Sequence, residues 1–274
     1  MGNPQYAYAI WPWGLDTKEQ MTQALADVRE IGYVAFESVE SAVDLFEGSV
    51  DEFKAIIEKY RVRPASFYFW LKGVFDEDIG RIRRKIGFLA ANDVHRMSVQ
   101  GPKWSGKPAT PDELDNTLRI IQEIGKIAAD YGVAPCVHPH HGTMIMHENE
   151  VDHIMQNTDP KLVAFGPDTA HLVAGGCDPV AIFERYKDRI KFTHLKDIKI
   201  DTGLRADEEA GKEFTVYENF RELGEGDVHF QAVFEVLRGV EYDGYLTPEL
   251  DKSRSSNKES AAISMAYLRR HYPL

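Results

Sequence analysis

Cysteine is scarce. Two residues in 274, Cys136 and Cys177, are too few for a disulfide framework and fit a reducing compartment. A surplus of basic charge is missing as well: 44 acidic side chains face 32 basic ones, for a formal net charge of −12. Such a surface repels phosphate backbones and anionic lipid, so neither nucleic acid nor a membrane is an expected partner. No apolar run approaches the ~18 residues of a membrane span, and the opening MGNPQYAYAIWPWG lacks the basic-then-apolar layout of a signal peptide. A soluble, cytoplasmic protein is expected. The first strand-like run ends in Trp11-Pro12-Trp13-Gly14, which cannot cradle a pyrophosphate as a glycine fingerprint does. What remains is an ordinary globular composition, 43% hydrophobic and 28% charged, in a chain long enough to bury a core unaided.

Short apolar runs alternate with longer amphipathic stretches. Strands are expected at 6–11, 33–37, 64–70, 96–100, 134–138, 162–167, 190–194 and 244–249. Helices are expected at 17–31, 51–60, 76–91, 112–131, 150–156, 178–186, 230–238 and 258–271. Thr110-Pro111-Asp112 and Asp178-Pro179 carry start signals, a capping side chain before a first-turn proline. Eight strand–helix units in 274 residues, about 34 residues each, match the economy of a single-domain (β/α)₈ TIM barrel over 1–274. One polar segment, 201–224, breaks the rhythm after the seventh strand. In a barrel it lies over the C-terminal mouth, as a lid or as an interface arm of a homo-oligomer.

The residues able to do chemistry gather at expected strand ends. Alternate residues on a strand share a face, so Ala134, Cys136, His138 and His140 point one way. Ala164, Gly166 and Asp168 do likewise, as do Ile190, Phe192 and His194, and Tyr245, Thr247 and Glu249. The steps from 138 to 168 and from 168 to 194 are single β/α units, and the step to 249 is a unit carrying the insertion. Successive strands therefore deliver His138, Asp168, His194 and Glu249 to one rim, where barrels keep their catalytic groups. Two imidazoles and two carboxylates suit one borderline divalent ion, Mn²⁺ foremost, with Co²⁺, Fe²⁺ and Zn²⁺ as alternatives. Each residue taken singly has an ordinary role open to it, a hydrogen-bonded core histidine or a helix cap; the common rim is what argues for a metal. Glu37 and Gln100 end the second and fourth strands, and Lys196 shares the parity of His194. Trp11, Trp13 and Trp70 are candidate flat walls for a sugar or cyclitol ring, with barrel packing the alternative. Asp197 and Asp251 are candidates to orient ligands or bind hydroxyls. Two carboxylates in Gly224-Glu225-Gly226-Asp227, where many barrels bind phosphate, point to an unphosphorylated substrate.

HPHHGT, DTAHLVAGGCDP, HLKD and GEGDVHF, followed by Glu249, resemble the sugar phosphate isomerase/epimerase superfamily. These are the xylose isomerase-like TIM barrels, which include endonuclease IV; within them the resemblance is to the inosose-dehydratase-like members. It runs from Ile10-Trp11 through the YDGYLTPELD segment, and its specific motifs lie in the second half. In that superfamily Glu, Asp, His and Glu at the ends of strands five to eight hold the metal, and the last three fall on Asp168, His194 and Glu249. At the fifth strand this chain has His138 where other members have Glu, as inosose-dehydratase-like chains do, and His140 follows two residues on. The fourth ligand is then His138 or His140, with the other free to act as acid or base.

The resemblance implies a metal-dependent enzyme acting on a ketose or keto-cyclitol through a metal-stabilised enediolate. Candidate bases are His140, Glu37 and Lys196, in that order. Candidate substrate contacts are Trp11, Trp70, Gln100, His171 and Asp197. Water loss is expected over isomerisation or epimerisation, because a histidine suits protonation of a departing hydroxide and the two-glutamate proton exchange of the epimerases lacks one partner. A phosphodiesterase like endonuclease IV fits poorly with the net charge; a sugar-binding or subunit module without turnover is the remaining alternative.

Overall fold

The computed structural model describes residues 2–200 and 215–274. Its strands are β1 (Gln5–Ala9), β2 (Ala35–Val39), β3 (Arg63–Trp70), β4 (Arg96–Gln100), β5 (Ala134–His138), β6 (Ala164–Phe165), β7 (Thr193–Leu195), β8 (Asp197–Ile198), β9 (Phe220–Arg221) and β10 (Tyr245–Pro248). Eight of them pair in parallel in the order β6-β5-β4-β3-β2-β1-β10-β7. Parallel bridges Phe165–Ile190 and Asp168–His194 then join β6 to β7 and close the ring. This is the expected (β/α)₈ barrel.

The helices outside it are α1 (Lys18–Ile31), α2 (Glu40–Asp44), α3 (Val50–Tyr60), α4 (Phe75–Ala91), α5 (Pro111–Ala129), α6 (Glu148–Asn157), α7 (Thr169–Ala174), α8 (Pro179–Tyr186), α9 (Phe230–Gly239) and α10 (Asn257–His271). Thr17 and Thr110 start α1 and α5 with reciprocal capping boxes, and Asp178 caps α8; each such cap contributes about 1 kcal/mol. The short helices α2 and α7 and the β8–β9 pair were not expected.

Two cores divide the fold. The larger lies between strands and helices, where Phe53, Phe67 and Phe88 meet edge to face. The smaller fills the barrel itself: Ala7, Ala35, Ala65, Cys136 and Ala164 surround Phe192. Small side chains on five strands leave room for one ring, and that ring forms a floor. Two residues further along the strands the inward positions turn from apolar to ionisable, with Glu37, His138 and His194 all buried. The site therefore rests on a packed barrel rather than on loops.

Of the 201–224 segment, residues 201–214 lie outside the described residues. From 215 the chain makes a 3₁₀ turn (Thr215–Asn219) and then β9, antiparallel to β8. Val216 and Phe220 pack with Ala170, Ile198 and Leu250 in a small apolar cluster.

Candidate metal centre and cavity at the barrel mouth

His138 ends β5, and its fully buried ring is held by Gly166, whose carbonyl lies 3.2 Å from Nδ1. A proton on Nδ1 leaves the lone pair on Nε2, and that atom has no hydrogen-bond partner. Gly166 is needed for this approach, since a Cβ there would stand 3.0 Å from Cys136 Cβ. His194 uses Nε2 on Glu37, whose other oxygen accepts from Ser98 Oγ at 2.6 Å. Its Nδ1 faces inward, 3.0 Å from His138 Nδ1 and 3.4 Å from Glu249 Oε2. A carboxylate behind a histidine fixes its tautomer and its aim.

Asp168 has two tasks. Oδ1 caps α7 by accepting from the His171 N–H at 2.8 Å, while Oδ2 accepts no hydrogen bond. Ligand atoms of His138, Asp168 and His194 lie within 4.8 Å of one another, as do those of Asp168, His171 and Glu249 and those of His138, His140 and His171. Lys196, fully buried, reaches Glu249 Oε1, Asp251 Oδ2 at 2.9 Å and Asp168 Oδ2 at 3.7 Å. It also lies 3.0 Å from His171 Nε2, while the His141 N–H approaches His171 Nδ1 at 3.2 Å. A neutral imidazole offers one lone pair, and the closer, charged donor takes it.

Burial sets the electrostatics. It pushes the Glu249 and Asp168 carboxyls above the ordinary acid range, against the pull of Lys196. It holds His138 and His171 well below the usual imidazole value, and His140 falls to about 3, with Lys196 adding to the effect. For His194 and Lys196 burial works the other way from the outcome: Glu37 and Glu249 raise the imidazole, and Asp251, Glu249 and Asp168 raise the ammonium. Carboxylates so placed call for positive charge. The unpartnered buried acceptors His138 Nε2, Asp168 Oδ2 and Glu249 Oε2, in an N/O donor set without thiolate, fit a borderline divalent ion.

Above this floor opens a cavity of about 330 Å³, lined in part by Trp11, Tyr68, Trp70, Gln100, His140 and Glu249, at the small end of ordinary ligand pockets. Trp11 and Trp70 flank Tyr68 at ring distances of 5.6 and 5.2 Å. The Tyr68 ring in turn stacks on His194 at 5.9 Å, and its hydroxyl donates to Gln100 Oε1 at 2.5 Å. Three carboxylates, Asp16, Glu249 and Asp251, line the cavity, and no lysine or arginine does so among the described residues.

The structure thus gathers Trp11, Trp70, Gln100, His140 and Glu249 around the cavity, with His138, Asp168 and His194 at its base. It does not bring every candidate there. Glu37 stands deeper than a rim position, because β2 continues to Val39, and its carboxylate serves His194. His171 and Lys196 lie behind Asp168 and Glu249. Trp13 donates Nε1–H to Asp27 and packs on Tyr8. Asp197 turns the other way: it accepts from the N–H groups of Ile198, Gly224, Gly226 and Val228 at 2.9–3.0 Å. Gly226 permits this, since a Cβ would meet Asp197 Oδ1 at 2.1 Å. Tyr68 was missed, although it shares strand parity with Trp70.

A closed parallel barrel with a His/Asp/His/Glu cluster at its C-terminal mouth defines the class, and the family model for the xylose isomerase-like TIM barrel matches residues 25–271. The chain belongs to that family. It is similar to an inosose dehydratase of Clostridium tetani, 32% identical over 186 residues, which are 63% of this chain and 62% of that protein. An inosose dehydratase of Geobacillus kaustophilus is 26% identical over 261 residues, 87% of this chain and 82% of that one. Among solved structures, the IolI protein with a bound zinc atom superposes with a TM-score of 0.79 at 13% identity, covering 98% of this chain and 100% of that chain. Among the described residues, no helix is long and apolar enough to cross a membrane.

Proposed function

We propose that this chain is a divalent-metal-dependent enzyme that removes water from an unphosphorylated keto-cyclitol or ketose, as an inosose dehydratase does. One observation carries the reading: three buried acceptor atoms without hydrogen-bond partners, on His138, Asp168 and Glu249, beneath an aromatic-walled cavity. His138, Asp168, His194 and Glu249 would hold the ion, Mn²⁺, Co²⁺, Fe²⁺ or Zn²⁺. When bound, it supplies Lewis-acid polarisation of a substrate carbonyl.

The chain's own residues do the rest. Trp11, Tyr68 and Trp70 offer faces to the apolar side of a ring and exclude water from it. His140 directs Nδ1 at the His141 carbonyl, 2.6 Å away, which puts its lone pair on Nε2; held neutral, it takes the proton α to the carbonyl. The imidazolium so formed is the acid for the β-hydroxyl, so that the C–H and C–O bonds break and water departs. With imidazoles at the end of β5, no second glutamate ends a barrel strand among the described residues to return the proton from the opposite face. The lining carboxylates oppose a phosphate, and Asp197 already occupies the N–H groups of Gly224, Gly226 and Val228 that could have cradled one. Similarity to proteins named inosose dehydratase supports the same substrate class.

The test is incubation of ion-loaded protein with scyllo-inosose and a panel of ketoses in D₂O, read by mass and NMR. Loss of water is expected, with deuterium at the carbon that bore the departing hydroxyl, where the enol left by elimination takes up a solvent deuteron as it becomes a ketone. Deuterium uptake without water loss assigns an isomerase or epimerase, and no change with any compound removes the catalytic reading. Asp197→Asn provides a separate check. Its amide must turn a donor either on the Gly224 and Gly226 N–H groups or on those of Ile198 and Val228, so stability should fall by about 2–3 kcal/mol in chemical denaturation. KM should stay within about twofold of wild type, because Asp197 lies outside the cavity; a KM raised tenfold would return it to the substrate contacts.

A further inference from the structure

We propose that the Lys196 ammonium fills a second cation position next to the first, and that it is what limits this centre to one divalent ion. The inference rests on the ion placed above at His138, Asp168, His194 and Glu249. Two groups of prospective ligands overlap at the base of the mouth: His138, Asp168 and His194 form one, and Asp168, His171 and Glu249 form the other. Lys196 stands in the second. Its Nζ touches Glu249 Oε1, lies 3.0 Å from His171 Nε2 and 3.7 Å from Asp168 Oδ2, and has Asp251 Oδ2 as a fourth neighbour at 2.9 Å. Three carboxylates and an imidazole around one point are a divalent-ion ligand set, here with an ammonium at its centre.

Glu249 gives one oxygen to each position. Oε1 meets the ammonium, and Oε2 faces the first group, 3.4 Å from His194 Nδ1. That is how a bridging carboxylate serves a pair of ions in two-metal sites. The Phe220 ring, 4.6 Å from Nζ, covers a further side of the ammonium, a favourable place for a cation. Lys196 has no exposed surface and does not line the cavity, so a direct role on substrate has little room. Its charge fits the site as a permanent occupant, and a divalent ion cannot enter while it is there.

The experiment counts bound Zn²⁺ and Co²⁺ by mass spectrometry after chelator stripping and dialysis of the intact protein against excess ion. Wild type and Lys196→Arg should each saturate at one ion per chain, and Lys196→Ala and Lys196→Gln at two. Lys196→Arg also corrects for ions held at surface histidines. Melting temperature is followed alongside, and in the neutral variants it should rise again with the second equivalent. Where Lys196→Ala fails to fold, Lys196→Gln keeps more of the side-chain volume, and the wild-type count stands by itself: two ions in wild type overturn the proposal. So do neutral variants that bind no more than wild type. Wild type with no ion and neutral variants with one would remove the resident ion of the proposed function while keeping Lys196 as a cation surrogate; no ion in any form removes both.

Discussion

Glu249→Gln is expected to reduce turnover by about a thousandfold or more and to release the ion, while leaving the barrel folded. Loss of one well-placed electrostatic group in a water-excluded site costs rates on the order of 10²–10³, and here the same substitution also removes a ligand. The residue contributes at both ends: Oε1 receives the Lys196 ammonium and Oε2 is a buried acceptor with no hydrogen bond. Glutamine keeps the volume, but its NH₂ must face either the ammonium or the ion position, and each arrangement sets a donor where an acceptor is needed. The fold should tolerate the change. Lys196 keeps Asp251 and Asp168 as carboxylate neighbours in the variant, so its buried ammonium is not left unpaired. Metal analysis, circular dichroism and steady-state rates on one preparation decide the matter. A variant that keeps its ion and its rate takes Glu249 out of the centre, and with it the idea of a common cation.

Much of the barrel could be read from alternation and spacing, because a parallel barrel repeats a single unit. The expected bounds of β4 and β5 coincide with the observed ones, since β4 alternates polar and apolar residues from Arg96 to Gln100 and β5 is an apolar run closed by His138. The β6 run is shorter than expected: after Phe165 come Gly166 and Pro167, and a proline has no N–H for the ladder. Only the bridge at Asp168 carries the pairing to the rim. Strand parity also anticipated which residues face inward at His138, Asp168 and His194. It separates Lys196 from Asp197 as well: Lys196 keeps the parity of His194, whereas Asp197 has the opposite one and its carboxylate holds the loop at 224–228. Depth was harder to read. Glu37 resembles a strand end because Ser38 follows it, yet Ser38 and Val39 continue the ladder against Phe67 and Tyr68. Tyr68 lies within SFYFW, where aromatics occupy both faces and hydrophobicity gives no sign of which ring meets the cavity. Nor does composition reveal that a lysine is wholly buried, since that depends on three carboxylates brought from distant parts of the chain.

The two histidines at the end of β5 should separate cleanly on substitution. His138→Ala removes an unpartnered Nε2 from the base of the mouth and the ring that meets the Gly166 carbonyl. It is expected to abolish ion retention and to lower stability by about 1–3 kcal/mol, the range for a buried polar group losing its partner. His140→Ala acts one level higher, at the cavity wall. Its ring lies over His171 with centroids 3.7 Å apart, and its Nδ1 is engaged by a backbone carbonyl, so the ion should remain. Turnover should fall by about 10²–10⁴-fold, the usual contribution of a general acid–base group, with KM little changed. Added imidazole should restore part of the rate to His140→Ala and none to His138→Ala, because only the former leaves an ion-loaded centre lacking a proton carrier. Metal content is the deciding measurement. If His140→Ala loses the ion and His138→Ala keeps it, the two roles are exchanged; if both keep ion and full rate, the fifth strand has no part in the centre.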